Sequence, residues 1–173
     1  FNKPRGVLCT NYDPKGRKTT ADYFAALNYR LYNIGRLDYD SEGLLLMTND
    51  GELANKIMHP KFLTHKTYFV ICDGNLSKED IRILEKGVKL SDGMTATAKI
   101  SFVTCIGDKK TSFEITIHEG RNRQIRRMLE SIGHEVLLLR RVRLGNLKLQ
   151  GLQPGDWRYL TNKEITDITP NDV

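Results

Sequence analysis

The succession of apolar and polar positions along the chain predicts many short strands and a few helices. Leu44 to Met47 form an apolar run that ends at the turn signal Asn49-Asp50-Gly51, and such a run is typical of a buried strand. Alternating or apolar patterns predict further strands at 1–10, 29–34, 65–72, 94–106, 111–118, 135–144 and 146–149. Of these, 94–106 and 111–118 have the pattern of an antiparallel hairpin.

Helical spacing is clearest before Ile132, where Ile125, Met128 and Leu129 precede it at i, i+3 and i+4 and predict one buried face. Shorter helices are predicted at 52–58 and between Ser77 and Gly87. Together these elements predict an α+β fold with a mostly antiparallel mixed sheet. The chain contains neither strand–helix–strand alternation nor a glycine-rich or Walker phosphate motif, so no nucleotide cofactor is expected.

A charged loop containing Asp38, Asp40 and Glu42 lies directly before the apolar run. Carboxylates beside apolar backbone are costly unless they are paired, so this loop is a candidate site, although a solvated loop is an equally simple interpretation. A calcium loop would need a bidentate Glu at its twelfth position, where counting from Asp38 gives Asn49. It would also need flanking helices, whereas Leu44 begins a predicted strand, so no metal is expected.

Positive charge is concentrated in one segment. The 173 residues carry a net charge of +6, and the segment from 121 to 148 contains eight basic and two acidic side chains. A local excess of this kind favours a polyanionic partner, whereas a dispersed excess would indicate only solubility. The chain has no apolar stretch long enough to cross a membrane, and no membrane partner is expected.

The length fits one domain over 1–173. Cys9, Cys72 and Cys105 are far apart and belong to no cysteine–histidine cluster, so we expect neither zinc nor disulfides, and free thiols suit the cytoplasm. The chain opens on Phe1 without an initiator Met and without a visible signal peptide, so upstream sequence is expected.

Two further groups of side chains are candidates for binding. Arg121, Arg123, Arg126 and Arg127 surround the start of the helix that ends near Ile132, where they would favour an anion, although a solvated basic face is the simpler alternative.

Tyr68 lies in the predicted strand 65–72, where its ring could stack on a nucleic-acid base. The alternative is a half-buried tyrosine with a purely structural role in the sheet.

Five motifs occur in a fixed order along nearly the whole chain. They are Phe1-Asn2-Lys3-Pro4-x-Gly6-Val7, Gly35-Arg36-Leu37-Asp38-x-x-Ser41-x-Gly43-Leu44-Leu45-Leu46, Thr48-Asn49-Asp50-Gly51, Lys66-Thr67-Tyr68 and Glu119-Gly120-Arg121-Asn122-Arg123-Gln124-Ile125-Arg126-Arg127-Met128. In this order they resemble the RsuA branch of the pseudouridine synthases, enzymes that modify bacterial ribosomal RNA. The resemblance implies a pseudouridine-synthase-like fold with a central RNA-binding cleft, ribosomal RNA as the partner, a monomer, and neither cofactor nor metal.

The resemblance also implies roles for individual residues. Asp38 would be the essential catalytic residue, and whether it attacks the base or the sugar or works through a glycal stays open. Tyr68 would pack on the uracil and take its carbon 5 proton, and Arg126 would pair with Asp38 and keep it ionised. The RNA-binding residues would be Arg36, Arg121, Arg123, Arg127 and Lys3.

Ser41 stands where many RsuA-type relatives have Thr. The small RNA-binding domain that precedes their Asn-Lys-Pro motif lies outside residues 1–173, and we expect it either to have been removed from this sequence or to be naturally missing. A non-catalytic RNA-binding or ribosome-associated module is the main alternative function. The basic segment supports it equally well, but the acidic loop does not. A metal-dependent nuclease or glycosidase is a weaker alternative, because only Asp38 and Asp40 could supply paired carboxylates.

Overall fold

A computed structural model describes residues 1–59, 61–62, 64–107 and 109–170. The strands are β1 (Asn2–Lys3), β2 (Tyr32–Ile34), β3 (Glu42–Leu44), β4 (Leu46–Thr48), β5 (Lys66–Asp73), β6 (Lys89–Leu90), β7 (Gly93–Met94), β8 (Lys99–Ile106), β9 (Lys110–Ile117), β10 (Val136–Leu144) and β11 (Leu147–Lys148). The helices are α1 (Gly51–Met58), α2 (Lys78–Lys86), α3 (Gln124–Glu130) and α4 (Asn162–Ile168), and a 3-10 helix covers Thr20–Phe24. Within the described ranges, no helix has the length and apolar character that crossing a bilayer requires.

The chain forms two compact units. The first contains Phe1–Thr64 and the segment that begins at Arg141, and the second contains His65–Arg140. The antiparallel pairing of strands in both units, together with the helices, confirms the predicted α+β class. The prediction of one domain over 1–173 stays a prediction.

In the first unit, short antiparallel strands position the charged loop. β1 pairs with β3, placing Asn2 opposite Leu44 and Lys3 opposite Gly43, and β1 is much shorter than the strand predicted over 1–10. β3 also lies beside β10, which pairs with β11, while β2 and β4 form a separate pair. The charged loop therefore connects one strand pair to another.

The apolar run after this loop is not the single strand that its pattern predicts. The chain changes direction at Leu45, so that Leu44 ends β3 and Leu46 begins β4. All three leucines are buried. Successive side chains of one strand point to opposite faces, so a single strand with one buried face would expose every second residue. The change from one strand pair to the other buries all three.

The core of the first unit gathers apolar side chains from segments far apart in the sequence. Its cluster contains Ile34, Leu44, Leu46, Ala54, Ile57, Leu144, Leu147 and Ile168. Burial of each leucine or isoleucine side chain in this cluster contributes about 1.5–3 kcal/mol. The cluster therefore fixes both strand pairs that flank the charged loop.

In the second unit, β5 pairs with β9 without interruption, from Lys66 opposite Ile117 to Asp73 opposite Lys110. β9 pairs in turn with β8, which confirms the predicted antiparallel hairpin, and β10 lies on the other side of β5. The fully buried apolar side chains of this unit are Val70, Cys72, Leu84, Phe113, Ile115, Met128 and Leu129.

The predicted buried face of α3 is confirmed, because Ile125, Met128 and Leu129 are buried. The helix ends at Glu130, two residues before the predicted end at Ile132.

Candidate active site

The loop that carries Asp38 is held in place by its backbone. We call residues 35–41 the Asp38 loop. The carbonyl of Asp38 accepts a hydrogen bond from the Ser41 amide at 3.0 Å, which closes a turn that begins at Asp38. The Gly6 amide donates to the Tyr39 carbonyl at 2.7 Å, and the Leu37 amide donates to the Cys9 thiol at 3.4 Å. The residues before and after Asp38 are therefore both anchored to the segment that follows β1.

Lys3 is hydrogen-bonded to the end of the same loop. Its side chain has no exposed surface, and its Nζ donates to the carbonyls of Ser41 at 2.8 Å and Pro4 at 2.9 Å. Burial lowers the pKa of this ammonium, and Cys9 together with nearby carboxylates that include Asp38 opposes the shift. A fully buried ammonium bonded to two carbonyls is not placed to meet phosphate, so the structure gives no support to the predicted RNA contact of Lys3.

A close backbone approach fixes β3 immediately after the loop. A Cβ atom at Gly43, where φ is +108°, would lie 2.7 Å from the Arg141 amide nitrogen and closer still to its carbonyl oxygen. Only glycine fits there. The Arg141 side chain, 3% exposed, donates from Nε to the Leu44 carbonyl at 2.7 Å, and its buried Nη2 has no hydrogen-bond partner among the described residues.

Ser41, at the end of the Asp38 loop, is also almost completely buried. Its hydroxyl makes no hydrogen bond to any residue that the structure describes. Most buried hydroxyls in proteins have a hydrogen-bond partner, so Ser41 is an exception to the usual pattern.

Tyr68 is placed in the second unit by the regular pairing of β5 and β9. It lies opposite Ile115 and is 9% exposed. Its side chain lies on the same face of β5 as the fully buried Val70 and Cys72, because every second residue of a strand points the same way. The side chain of Tyr68 is therefore mostly buried.

Arg126 belongs to α3 in the same unit. Its Nη1 donates to the Val136 carbonyl at 3.1 Å, which ties α3 to the start of β10. The predicted ion pair with Asp38 would join the two units, and it stays a prediction.

Two arginines of the predicted basic cluster form ion pairs with two carboxylates, a pairing that the sequence pattern did not predict. Arg121 forms ion pairs with Asp92 at 3.4 Å and Glu119 at 3.2 Å, and Arg127 pairs with Asp92 at 2.9 Å. The hydrogen bond from Arg127 is the main cause that lowers the pKa of Asp92. These two arginines therefore have much of their charge compensated within their own unit.

Arg121 is further fixed by backbone groups. It donates to the carbonyls of Asp92, Gly93 and Met94 at 2.5–3.1 Å. This network holds the guanidinium against the turn between β6 and β7, so its position is set before any ligand arrives.

The two other predicted RNA-binding residues, Arg36 and Arg123, are exposed at the surface. Arg123 has a left-handed backbone with φ of +47° and lies directly before the first residue of α3. Among the predicted RNA contacts, these two are the ones whose exposure suits a phosphate.

The described part of the chain contains no candidate metal centre. No three His, Cys, Asp or Glu side chains within it come together as metal ligands would. The alternating carboxylates that begin at Asp38 do not form such a group.

Sequence reasoning missed the roles of Arg141, Asp92 and Cys9. A basic residue inside the apolar pattern of β10 was a signal for Arg141, since a charged side chain between buried positions needs a partner. Asp92 and Cys9 carried no local signal, because their partners are far away in the sequence.

The sequence of this chain is similar to those of known proteins over most of its length. The model of the RNA pseudouridylate synthase family matches residues 1–131. Ribosomal large subunit pseudouridine synthase B of Bacillus subtilis is 52% identical over 164 residues, covering 94% of this chain and 67% of that protein. Ribosomal large subunit pseudouridine synthase E of Vibrio parahaemolyticus is 44% identical over 173 residues, covering 92% of this chain and 72% of that protein.

A crystal structure of a pseudouridylate synthase superposes with a TM-score of 0.85 at 31% identity, covering 97% of this chain and 71% of that chain. The resemblance inferred from five motifs is thereby confirmed over nearly the full length. The chain belongs to the RNA pseudouridylate synthase family, as an RsuA-type member.

Proposed function

We propose that this chain isomerises a specific uridine to pseudouridine in ribosomal RNA, with Asp38 as the essential catalytic carboxylate. In this reaction the bond between N1 of uracil and the ribose breaks, the base turns, and carbon 5 bonds to the same ribose carbon. The proton of carbon 5 is lost and N1 gains one, so the product has the atoms of the substrate. A base inside RNA structure must first be extruded, at a cost of a few kcal/mol.

The observation that carries the proposal is the anchoring of the Asp38 loop. The loop is bonded on both sides of Asp38, through Leu37 to Cys9 and through Tyr39 to Gly6, and Lys3 holds its end at Ser41. A carboxylate on so fixed a backbone loses little freedom when it meets a substrate. It suits either attack on the substrate or stabilisation of a developing positive charge at the ribose.

Tyr68 and Arg126 complete the proposed catalytic set. The regular pairing of β5 with β9 fixes the backbone position of Tyr68, which supports a role in which the ring packs on the uracil and its hydroxyl takes the carbon 5 proton. We propose that Arg126 keeps Asp38 ionised, because a nearby guanidinium favours the charged form of a carboxylate. The hydrogen bond from the Arg126 side chain to the Val136 carbonyl supports this role by limiting the freedom of that side chain.

The substrate follows from chemistry and from relatives. The net charge of +6 suits a polyanion. Two relatives are named as acting on the large ribosomal subunit, so we propose large-subunit ribosomal RNA as the substrate. The enzyme would then work in the cytoplasm, as a monomer, with Arg36 and Arg123 among its RNA contacts.

Release of tritium from ribosomal RNA labelled at carbon 5 of uridine tests the proposal. Wild type should release tritium from large-subunit RNA, and Asp38→Asn should release none while binding the same RNA with unchanged affinity. Small-subunit RNA is the matched control substrate, and release from it alone would contradict the proposed specificity.

Two results would overturn the proposal more broadly. Equal release by wild type and Asp38→Asn would remove Asp38 from the chemistry. Salt-sensitive binding without release, from both free RNA and immature subunits, would favour the non-catalytic RNA-binding module.

A further inference from the structure

Two backbone amides that precede Asp38 in the Asp38 loop both donate to sulfur. The Gly35 amide donates to the Met58 thioether at 3.0 Å, and the Leu37 amide donates to the Cys9 thiol at 3.4 Å. After Asp38, the loop is held by nitrogen and oxygen groups instead. The part of the loop that leads to the carboxylate is therefore held by two side chains that an oxidant can change.

The position of Met58 is set by the core of the first unit. Met58 is the last residue of α1, and β2 ends at the residue before Gly35. Ile57 of α1 and Ile34 of β2 belong to the same buried cluster, so the end of the helix lies beside the start of the loop. The contact between the thioether and the Gly35 amide therefore follows from the packing of α1 on β2.

Met58 is also accessible to a dissolved oxidant. It is 45% exposed, whereas Met128 in the second unit is fully buried. When hydrogen peroxide meets an accessible thioether, the oxygen–oxygen bond breaks and one oxygen atom bonds to sulfur. The sulfur loses two electrons, and the other oxygen atom leaves as water.

Oxidation changes the group that meets the Gly35 amide. A thioether sulfur is a weak acceptor without charge, and the sulfoxide adds a polar oxygen to it. The amide nitrogen and the sulfur are 3.0 Å apart, so an oxygen on that side of the sulfur cannot fit between them. The start of the loop must then move relative to Met58. Asp38 follows Gly35 by three residues, so this movement changes the position of the carboxylate.

We propose that Met58 is a positioning residue for Asp38 and a site of reversible oxidation, whose thioether holds the start of the Asp38 loop and whose sulfoxide releases it. The proposal rests on the proposed function for the importance of Asp38. It predicts that kcat falls while KM changes little, because most of the basic residues lie outside the loop. Methionine sulfoxide reductases return the sulfur to the thioether, with a dithiol as the electron donor and water as the product, and should reverse the change.

The first test measures tritium release after hydrogen peroxide has been applied and removed, with and without dithiothreitol, which reduces oxidised thiols. Wild type should lose about tenfold in kcat, less than the roughly 100-fold that a displacement of about 1 Å can cost. Dithiothreitol should not restore this loss, whereas methionine sulfoxide reductases A and B together should restore it.

Met58→Leu keeps the volume of the side chain and removes the sulfur. It should begin about threefold below wild type in kcat, because the Gly35 amide has lost its acceptor, and peroxide should not lower it further. Met94→Leu is the matched control, because Met94 is 59% exposed and contacts Arg121 through its backbone carbonyl, which the substitution keeps. This control should lose activity on oxidation as wild type does.

The second test follows the Asp38 loop without turnover. Hydrogen exchange of the peptide that contains residues 35–38, measured by mass spectrometry, reports on the protection of the Gly35 and Leu37 amides. Peroxide should speed this exchange in wild type and in Met94→Leu, and should leave it unchanged in Met58→Leu. The midpoint of urea unfolding should be unchanged by oxidation, because the movement is local.

Three results would overturn the proposal. Equal losses of kcat on oxidation of wild type and Met58→Leu would place the damage elsewhere. Recovery of wild type with dithiothreitol alone would assign the loss to a thiol. Unchanged exchange and unchanged kcat in wild type whose Met58 is oxidised, as the peptide mass shows, would remove Met58 from the positioning of the loop.

Tritium release by untreated wild type reports separately on the proposed function. Release that oxidation of Met58 does not affect would leave the proposed function standing and remove this inference. Faster exchange of the loop on oxidation, without release before or after peroxide, would support the Met58 contact and remove the proposed function.

Discussion

Gly43→Ala tests whether the close approach of β3 to β10 holds the strand that follows the Asp38 loop. A side chain at this position must adopt φ of +108°, and a positive φ costs a non-glycine residue about 1–2 kcal/mol. The new Cβ would also overlap the Arg141 backbone, which no rotamer change relieves. Relief requires β3 to move away from β10.

That movement has its own cost. Separating the strands breaks the bond from Arg141 Nε to the Leu44 carbonyl, and a hydrogen bond from a charged donor contributes about 1.5–3 kcal/mol. Together with the cost of the positive φ, we expect Gly43→Ala to lower the free energy of unfolding by about 2.5–5 kcal/mol. Since domains are stable by about 5–15 kcal/mol, this is a large loss.

Urea unfolding followed by the fluorescence of Trp157, the single tryptophan, measures the effect in the first unit. Gly16→Ala is the matched control, because Gly16 also has a positive φ, of +69°, but a methyl group added there would meet no described atom within 4 Å beyond its chain neighbours. In the control, only the cost of a positive φ should lower the free energy of unfolding, by about 1–2 kcal/mol. Equal losses in the two variants would refute the reasoning, since β3 would then leave β10 at no cost.

Three further predictions concern charge. Lys3→Met should lower the free energy of unfolding by about 2–4 kcal/mol, because two hydrogen bonds from a buried ammonium are lost. The same substitution should leave unchanged the slope of log K for RNA binding against log salt concentration. A shallower slope would restore Lys3 as a phosphate contact. Asp92→Asn should steepen that slope by releasing the two arginines that it pairs with, and an unchanged slope would show that they do not meet RNA. Arg158 lowers the pKa of Glu164 from 4.5 to about 2, so the stabilisation from Glu164 is complete above pH 4.5 and disappears as the pH falls through about 2. The stability difference between wild type and Glu164→Gln, followed by thermal unfolding against pH, should shrink across that range; a constant difference would contradict the assignment.

The sequence alone identified the elements whose signals are local. The spacing of Ile125, Met128 and Leu129 predicted the buried face of α3, and alternation predicted β5 and the β8–β9 hairpin, because the period of apolar residues follows directly from backbone geometry. Five motifs in order were also sufficient to predict the family, since each motif is short but their combination is specific.

Only the tertiary structure shows which charged side chains are available to contact a ligand. Lys3 and Arg121 looked alike in the sequence, as basic residues within family motifs. In the fold Lys3 is buried under the Asp38 loop, and Arg121 is paired with Asp92, which lies far from it along the chain. Sequence patterns report which residues are charged, whereas pairing depends on contacts between distant segments.

The same reason explains the two findings that no local pattern contained. The apolar run divides at Leu45 because β3 pairs with β1 whereas β4 pairs with β2, and the Asp38 loop is anchored to the segment after β1 because the Leu37 amide donates to the Cys9 thiol. Local sequence determines what a segment can form, since backbone geometry and turn chemistry act over a few residues. Long-range packing decides where that segment lies and which of its charged groups remain exposed to a ligand.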